Sequence, residues 1–296
     1  ITDRVTVMRD GGYVGTLITK DSTKEDIINM MVGRVIYEDP KQHSMVAPDA
    51  PVVLKVEHLN AGKMVQDVSF ELRKGEILGF SGLMGAGRTE LAMSIFGKSY
   101  GTGISGQVFI DGKEVKMNTV TEAIKNGLAY VTEDRKGNGL ILSSPIKINT
   151  TLANLKNVSK RGVLDNDKEY AVADEYREKL KTKCPTVEQN VGNLSGGNQQ
   201  KVLLAKWMFT EPDILILDEP TRGIDVGAKY EIYCIINDLV AAGKSVIMIS
   251  SELPEVLGMS DRIYIMNEGK IVGEVSGQEA TQENIMSRIL KSSKGE

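Results

Sequence analysis

An α/β fold with a central, mostly parallel sheet is predicted by three stretches of this 296-residue sequence. The first is EILGFSGLMGAGRTELAMSIFG (76–97), an apolar strand, a glycine loop and a helix start. Gly82, four residues, Gly87, Arg88 and Thr89 match the phosphate-binding spacing G-x-x-x-x-G-K-[ST], with arginine in place of lysine. The second is NLSGGNQQKVLLAK (193–206), where a Ser-Gly-Gly turn opens a helix and leaves bare amides suited to an anion. The third is ILILDEPTRGIDVGA (214–228). Its apolar residues Ile214 to Leu217 suit a strand buried on both faces, which delivers Asp218 and Glu219 at its carboxyl end, where open α/β sheets bind ligands. One carboxylate is suited to magnesium and the other to orienting a water.

The elements follow in chain order. DRVTVMRDGGYVGTLITKDSTKEDIINMM (3–31) aligns without gaps to DRIYIMNEGKIVGEVSGQEATQENIMSRI (261–289), an offset of 258. Each copy reads as strand, tight turn, strand and a helix capped by Ser or Thr. Residues 1–34 therefore read as the tail of an upstream unit and 52–296 as a complete second one. Between them, 35–51 has three prolines within YEDPKQHSMVAPDAP, a linker composition. Strands are expected at 53–59, 64–72 and 76–81, followed by a helix from about Arg88 and a strand pair around the Asp111-Gly112 turn. A helical insert at about 140–192 contains helices at 150–157 and 168–182, the latter capped by Asn166 or Asp167. Then come strand 213–218, helix 227–242, strand 245–250, a short helix and the final hairpin and helix. Strand alternating with helix implies a parallel sheet covered on both faces.

Composition narrows the function classes. With 41% hydrophobic and 26% charged residues the chain is ordinary for a globular protein. Its apolar runs are too short to cross a bilayer, and no leader opens it at Ile1, so a membrane role is expected to be peripheral. Cys184, Cys234, His43 and His58 lack metal-ligand spacing, which indicates a reduced, cytosolic protein without a structural metal. A net charge of -4 with no basic stretch argues against nucleic acid.

SGLMGAGRTEL, VTEDRKGNGLI, LSGGNQQKV, DEPTRGIDVGAKYEIY and SSELPEVLGMSDRI resemble the second cassette of the tandem-cassette ATPase subunits of monosaccharide-importing ABC transporters, and RDGGYVG with MMVGR resembles the end of the first. GLMGAGRTEL and EVLGMSDRI are most similar to the ribose branch. The resemblance implies an α/β, ABC-type P-loop NTPase cassette with a central mostly parallel sheet, an antiparallel β subdomain and a helical subdomain, which uses ATP and Mg2+ and packs head to tail with an upstream cassette. On that footing Gly82, Gly85, Ala86, Gly87, Arg88, Thr89 and Glu90 surround the nucleotide of this chain's own loop. Thr89 and Asp218 would hold magnesium, Glu219 would position water, and Ser251 would stand at the switch position. Leu194, Ser195, Gly196, Gly197 and Asn198, with Asp225, would complete the neighbouring site in trans.

The chain departs from that pattern around its own loop. Arg88 replaces lysine, Glu133 stands where a glutamine is usual, Ser251 replaces a histidine, and no aromatic residue lies between Val52 and Asp67 to stack on adenine. The own-loop site is therefore expected to bind weakly or hydrolyse slowly, although Glu219 is retained. Implied partners are the upstream cassette, transmembrane permease subunits and, indirectly, a periplasmic or extracellular sugar-binding protein, with no nucleic acid. The implied location is the cytoplasmic face of a bacterial cell membrane. The loop 133–152 is the candidate docking groove for a permease. Three functions stay open: a transport ATPase half, a soluble non-transport ABC ATPase, and a nucleotide-independent structural or regulatory cassette.

Overall fold

The computed structural model describes residues 2–9, 12–23, 26, 27, 30, 44 and 46–293. The linker expected at 35–51 lies mostly outside them, as does most of the helix expected after Thr23. A hairpin of β1 (Arg4–Arg9) and β2 (Gly12–Ile18) comes first. Next are β3 (Val52–Ala61), β4 (Val65–Arg73) and β5 (Ile77–Gly82), then α1 (Arg88–Ile95), β6 (Ser105–Ile110) and β7 (Lys113–Glu114). They are followed by α2 (Val120–Lys125), β8 (Leu128–Val131), α3 (Ile146–Thr151), β9 (Ser159–Lys160), β10 (Val163–Leu164) and α4 (Asn166–Lys179). The remainder is α5 (Gly196–Met208), β11 (Ile214–Asp218), α6 (Val226–Ala241), β12 (Ser245–Ile249), α7 (Leu253–Met259), β13 (Arg262–Asn267), β14 (Lys270–Ser276) and α8 (Gln282–Ser293).

The central sheet runs β14-β13-β5-β12-β11-β8, parallel throughout except for the β13-β14 hairpin. Every residue of β8, β11 and β12 is buried, as expected of strands covered on both faces. Parallel register brings Gly82, Asp218 and Ile249 to one rim, because β12 pairs Ile249 with Phe80 on one side and with Asp218 on the other. The antiparallel sheet runs β4-β3-β6-β7 and meets the central one through aromatic contacts. Phe70 lies 5.1 Å from Phe80 and 6.2 Å from Tyr264, centroid to centroid.

Beside those rings, Arg262 binds both oxygens of Glu76 at 2.8 and 3.1 Å, the Glu71 carbonyl at 2.7 Å and Glu274 at 3.0 Å. Glu76 is only 2% exposed, so its charge depends on that guanidinium.

Two elements differ from the sequence expectation. The helix expected at 150–157 is instead α3, starting at Ile146, with an irregular turn at Leu152–Val158 behind it. Asn154 leaves helical geometry (φ -145°, ψ 53°) and its side-chain amide donates to the Phe209 carbonyl at 3.1 Å. The helix begins early because the side chain of Asn149 satisfies the backbone N–H and C=O of Ile141 at 2.7 and 3.0 Å, tying the preceding loop to it. The cap of α4 is Asp165, which accepts from the Lys168 N–H at 3.1 Å, and not Asn166 or Asp167. Strand β8 and helix α2 were not anticipated, since LAYV is too short a run to show a period.

The repeated hairpins have the same register. β1 pairs Arg4 with Ile18 and slips between Val7 and Met8, while β13 pairs Arg262 with Ser276 and slips between Ile265 and Met266. On its other edge β13 pairs with β5, whereas among the described residues β1 pairs with β2 alone.

Replacing Arg262→Met is expected to cost about 3–5 kcal/mol, because Glu76 is left buried without its counter-ion. Urea unfolding checks this, and a loss below about 1 kcal/mol would mean the cluster behaves as a surface pair.

Candidate functional site

The rim is where chemistry collects. After β5 the chain turns through Gly85 (φ 77°) and Gly87 (φ 95°) into α1. At Gly87 a side chain would collide with the Met64 carbonyl, so only glycine lets the loop pass between the β3-β4 and β13-β14 turns. The Gly269 N–H donates to the Ala86 carbonyl at 3.0 Å, and the Gln66 N–H donates to the Gly269 carbonyl at 2.8 Å. Both hairpin turns thereby brace the loop. No side chain caps α1, which leaves its first amides open to an anion. Met84 projects from the loop at 90% exposure.

Arg88 does not project into that cradle as a free cation. It is 7% exposed, and its Nη1 donates 2.6 Å to the Ser250 carbonyl beyond β12. Burial pushes its pKa down against the charges of Glu219, Asp218 and Glu90.

Asp218 is fully buried and its Oδ2 accepts the Tyr130 hydroxyl at 2.9 Å. Burial raises its carboxyl to about 6, opposed by the Tyr130 and Thr89 hydroxyls. Its Oδ1 is buried without a hydrogen-bond partner. Glu219 sits in the left-handed region (φ 49°), and its amide donates 2.8 Å to the Ile249 carbonyl. Ser251 donates 3.0 Å to Glu219 Oε2, so the two residues expected at the switch position and at the attacking water bind each other. Burial also raises the Glu219 pKa.

Among the described residues no three His, Cys, Asp or Glu side chains form a metal cage. The unpartnered Asp218 Oδ1, with Thr89 beside the same carboxylate, does fit a magnesium ion that brings most of its ligands with it as water and phosphate.

Leu194, Ser195, Gly196, Gly197 and Asn198 form a second corner on α5. Leu194 is buried, Ser195 is exposed, and the Asn198 amide donates to Ser195 Oγ at 2.9 Å while its Oδ1 accepts the Lys183 N–H at 2.8 Å. A side chain at Gly197 would strike Ala228, so the start of α5 lies flush against α6. Asp225 caps α6, accepting the Ala228 N–H at 2.9 Å.

Between the two regions stands the segment after β8. Glu133 forms an ion pair with Arg222 rather than lying as a bare charge near the loop. Arg135 donates to the carbonyls of Arg222 and Gly223 at 2.6 and 3.2 Å. Tyr130, Arg222 and Ser250 carry no site signal of their own in the sequence, and Arg135 is marked there only as part of the candidate docking loop 133–152. For the two arginines, the stretches EDRK and TRGID are the only local pointers.

A phosphate loop, an acidic strand end and a bare glycine corner on one parallel sheet define a nucleotide-binding cassette. A model of the ABC transporter family matches residues 65–222. The L-arabinose transport ATP-binding protein AraG of Geobacillus stearothermophilus is 51% identical, covering 98% of this chain and 58% of its own length. The ribose import ATP-binding protein RbsA of Clostridium tetani is 51% identical (97% of this chain, 56% of the relative), and the xylose import ATP-binding protein XylG of Geobacillus kaustophilus 52% (97% and 57%). The chain belongs to the ABC transporter family, and it spans little more than half the length of these curated relatives. Among solved structures, an ATP-binding cassette of an ABC transporter superposes with TM-score 0.68 at 21% identity, covering 80% of this chain and 98% of that one. A bacterial ABC transporter cassette solved as a dimer gives 0.64 at 21% identity (75% and 98%). At that identity the likeness establishes the shared fold.

Because burial raises Asp218 from 3.8 to about 6, the native state binds its proton more tightly than the unfolded chain does. Stability falls as pH rises through that window, and the full cost is present above it. Asp218→Asn removes the charge and keeps an acceptor for Tyr130. Without nucleotide or metal it is expected to gain on the order of 1–3 kcal/mol at pH 7.5, with the gain shrinking near pH 4. Urea unfolding at both pH values measures this, and equal stability of the two proteins at pH 7.5 would refute it.

Proposed function

We propose that this chain is the trans-acting half of an ATP-hydrolysing motor that energises import of a monosaccharide. The observation that carries this reading is the exposed Ser195 at the start of α5, whose first turn, Gly196 and Gly197, has no side-chain cap. The corner suits the γ-phosphate of a nucleotide gripped by another cassette. The β1-β2 hairpin supports the same arrangement: it copies the register of the cassette's own closing hairpin, and among the described residues β1 pairs with no second strand. We assign residues 1–34 to the tail of an upstream cassette and 52–296 to the second one. The cargo is a pentose, with ribose preferred on GLMGAGRTEL and EVLGMSDRI. The transmembrane permease docks at 133–152 on the cytoplasmic face of a bacterial membrane and receives sugar from a binding protein. No described helix is long and apolar enough to cross a membrane.

In the own-loop site the backbone of 82–89 and the start of α1 cradle phosphates, and Thr89 with Asp218 would hold magnesium. When bound, that ion supplies charge neutralisation at the phosphate oxygens. Glu219 is held by Ser251 and by its strained backbone, and the Arg88 fork stays on Ser250. That anchoring favours a second reading of the same site, a regulatory or purely structural one.

Two measurements test these readings. Mixing this chain with a separately made upstream cassette is expected to raise ATP hydrolysis, and Ser195→Arg to lower it about 100-fold. Turnover that survives the substitution within about twofold would exclude the trans corner. In a nucleotide titration of the chain alone, Arg88→Lys is expected to tighten binding about tenfold, near 1.4 kcal/mol, as a slim ammonium replaces the anchored fork. Failure of both proteins to bind at millimolar nucleotide would make the cassette a scaffold.

A further inference from the structure

The loop after β8 is fastened to the turn before α6 more tightly than a solvated loop requires. Asp134 accepts the N–H groups of Lys136 and Gly137 at 3.1 and 2.9 Å, closing the loop into one wide turn. The ion pair of Glu133 with Arg222 makes one attachment. The Arg135 fork makes the other, its Nη1 and Nη2 spanning the carbonyls of consecutive residues Arg222 and Gly223. Gly223 is in the left-handed region (φ 67°), which glycine reaches without steric cost, so the turn that exposes those carbonyls depends on outside contacts to hold it in place. The same guanidinium reaches the glycine corner: a Cβ built on Gly196 would lie 3.0 Å from Arg135 Nη2 and 3.2 Å from the Gly223 carbonyl. Three separate segments thus converge on one side chain. Arg135 also adds a full positive charge behind the amino end of α5, where the helix is already partly positive.

We propose that Arg135 is a positioning residue for the trans site, holding the 222–225 turn and the Gly196 corner as one rigid body. The inference rests on the reading that residues 194–198 meet a nucleotide held by an upstream cassette. Its physical basis is geometric. A planar fork satisfies two adjacent carbonyls at once, whereas a lysine ammonium on that turn satisfies one, and an amide such as glutamine is too short for either. Loss of the fork frees the turn, and a small misplacement of a group that acts only in the transition state lowers turnover more than it lowers nucleotide affinity.

The test compares Arg135→Gln, Arg135→Lys and Ser195→Arg in the mixture with an upstream cassette, scoring kcat and KM for ATP separately. Arg135→Gln is expected to lower kcat about tenfold or more with KM within about twofold, and Arg135→Lys to recover part of the loss. Equal kcat for Arg135→Gln and the parent, where Ser195→Arg abolishes turnover, would overturn the positioning role while leaving the trans site standing. If Ser195→Arg also loses nothing, the trans reading itself fails. A second measurement guards against misfolding: amide hydrogen exchange of the chain alone. It is expected to speed up about tenfold at 196–198 and 222–225 in Arg135→Gln, with β11 unchanged. Unchanged exchange in those two segments would overturn the clamp.

Discussion

Strands buried on both faces can carry polar chemistry only at their ends, and this constraint shapes the molecule. Five parallel strands share one direction, so the end of β5, Asp218 and Glu219 after β11, and Ser250 beyond β12 meet along a single rim. Hydrophobic burial below that rim is what holds Asp218 at 0% exposure with one oxygen unpartnered. The cost of keeping such a carboxylate is offset by Tyr130 and, in the nucleotide-bound state we propose, by a cation.

The same rim brings Arg88 of the glycine loop together with the acidic pair Asp218 and Glu219. Arg88 is turned into the sheet and anchored on Ser250, and the charges of Glu219 and Asp218 oppose its desolvation. Glu219 in turn accepts the Ser251 hydroxyl. Removing Glu219 would leave a buried guanidinium short of compensating charge, so the carboxylate has a structural occupation whether or not it orients water. Arg88, Glu133 and Ser251, the three residues read from the sequence as departures from the family pattern, are also separate in their contacts. Arg88 and Ser251 belong to the rim, whereas Glu133 is bound by Arg222 and belongs with the clamp.

The second corner is built by other means. Its exactness of placement comes from α5 lying flush on α6, where Gly197 leaves room only for Ala228, and from Asn198 and Arg135, whose side chains satisfy backbone groups of a neighbouring segment. Such contacts are directional and short, so a modest change at one side chain can move the corner without unfolding the sheet. A device of this kind suits a surface that must fit a partner.

Much of this was legible from residue order. ILILDE, LSGG and the glycine loop required a buried strand, a helix start and a phosphate turn, because apolar period, backbone freedom and helix-end amides are local properties. Strand β8 was too short to announce itself, and Asn154 breaks its helix through a bond to Phe209, a residue 55 positions away. The partners of the charged residues were not legible at all. Nothing local in the chain places Arg88 on Ser250, Arg222 on Glu133 or Tyr130 on Asp218, which lie 162, 89 and 88 positions apart. Those pairings arise when the sheet closes and each buried polar group must take the nearest complement that packing brings to it.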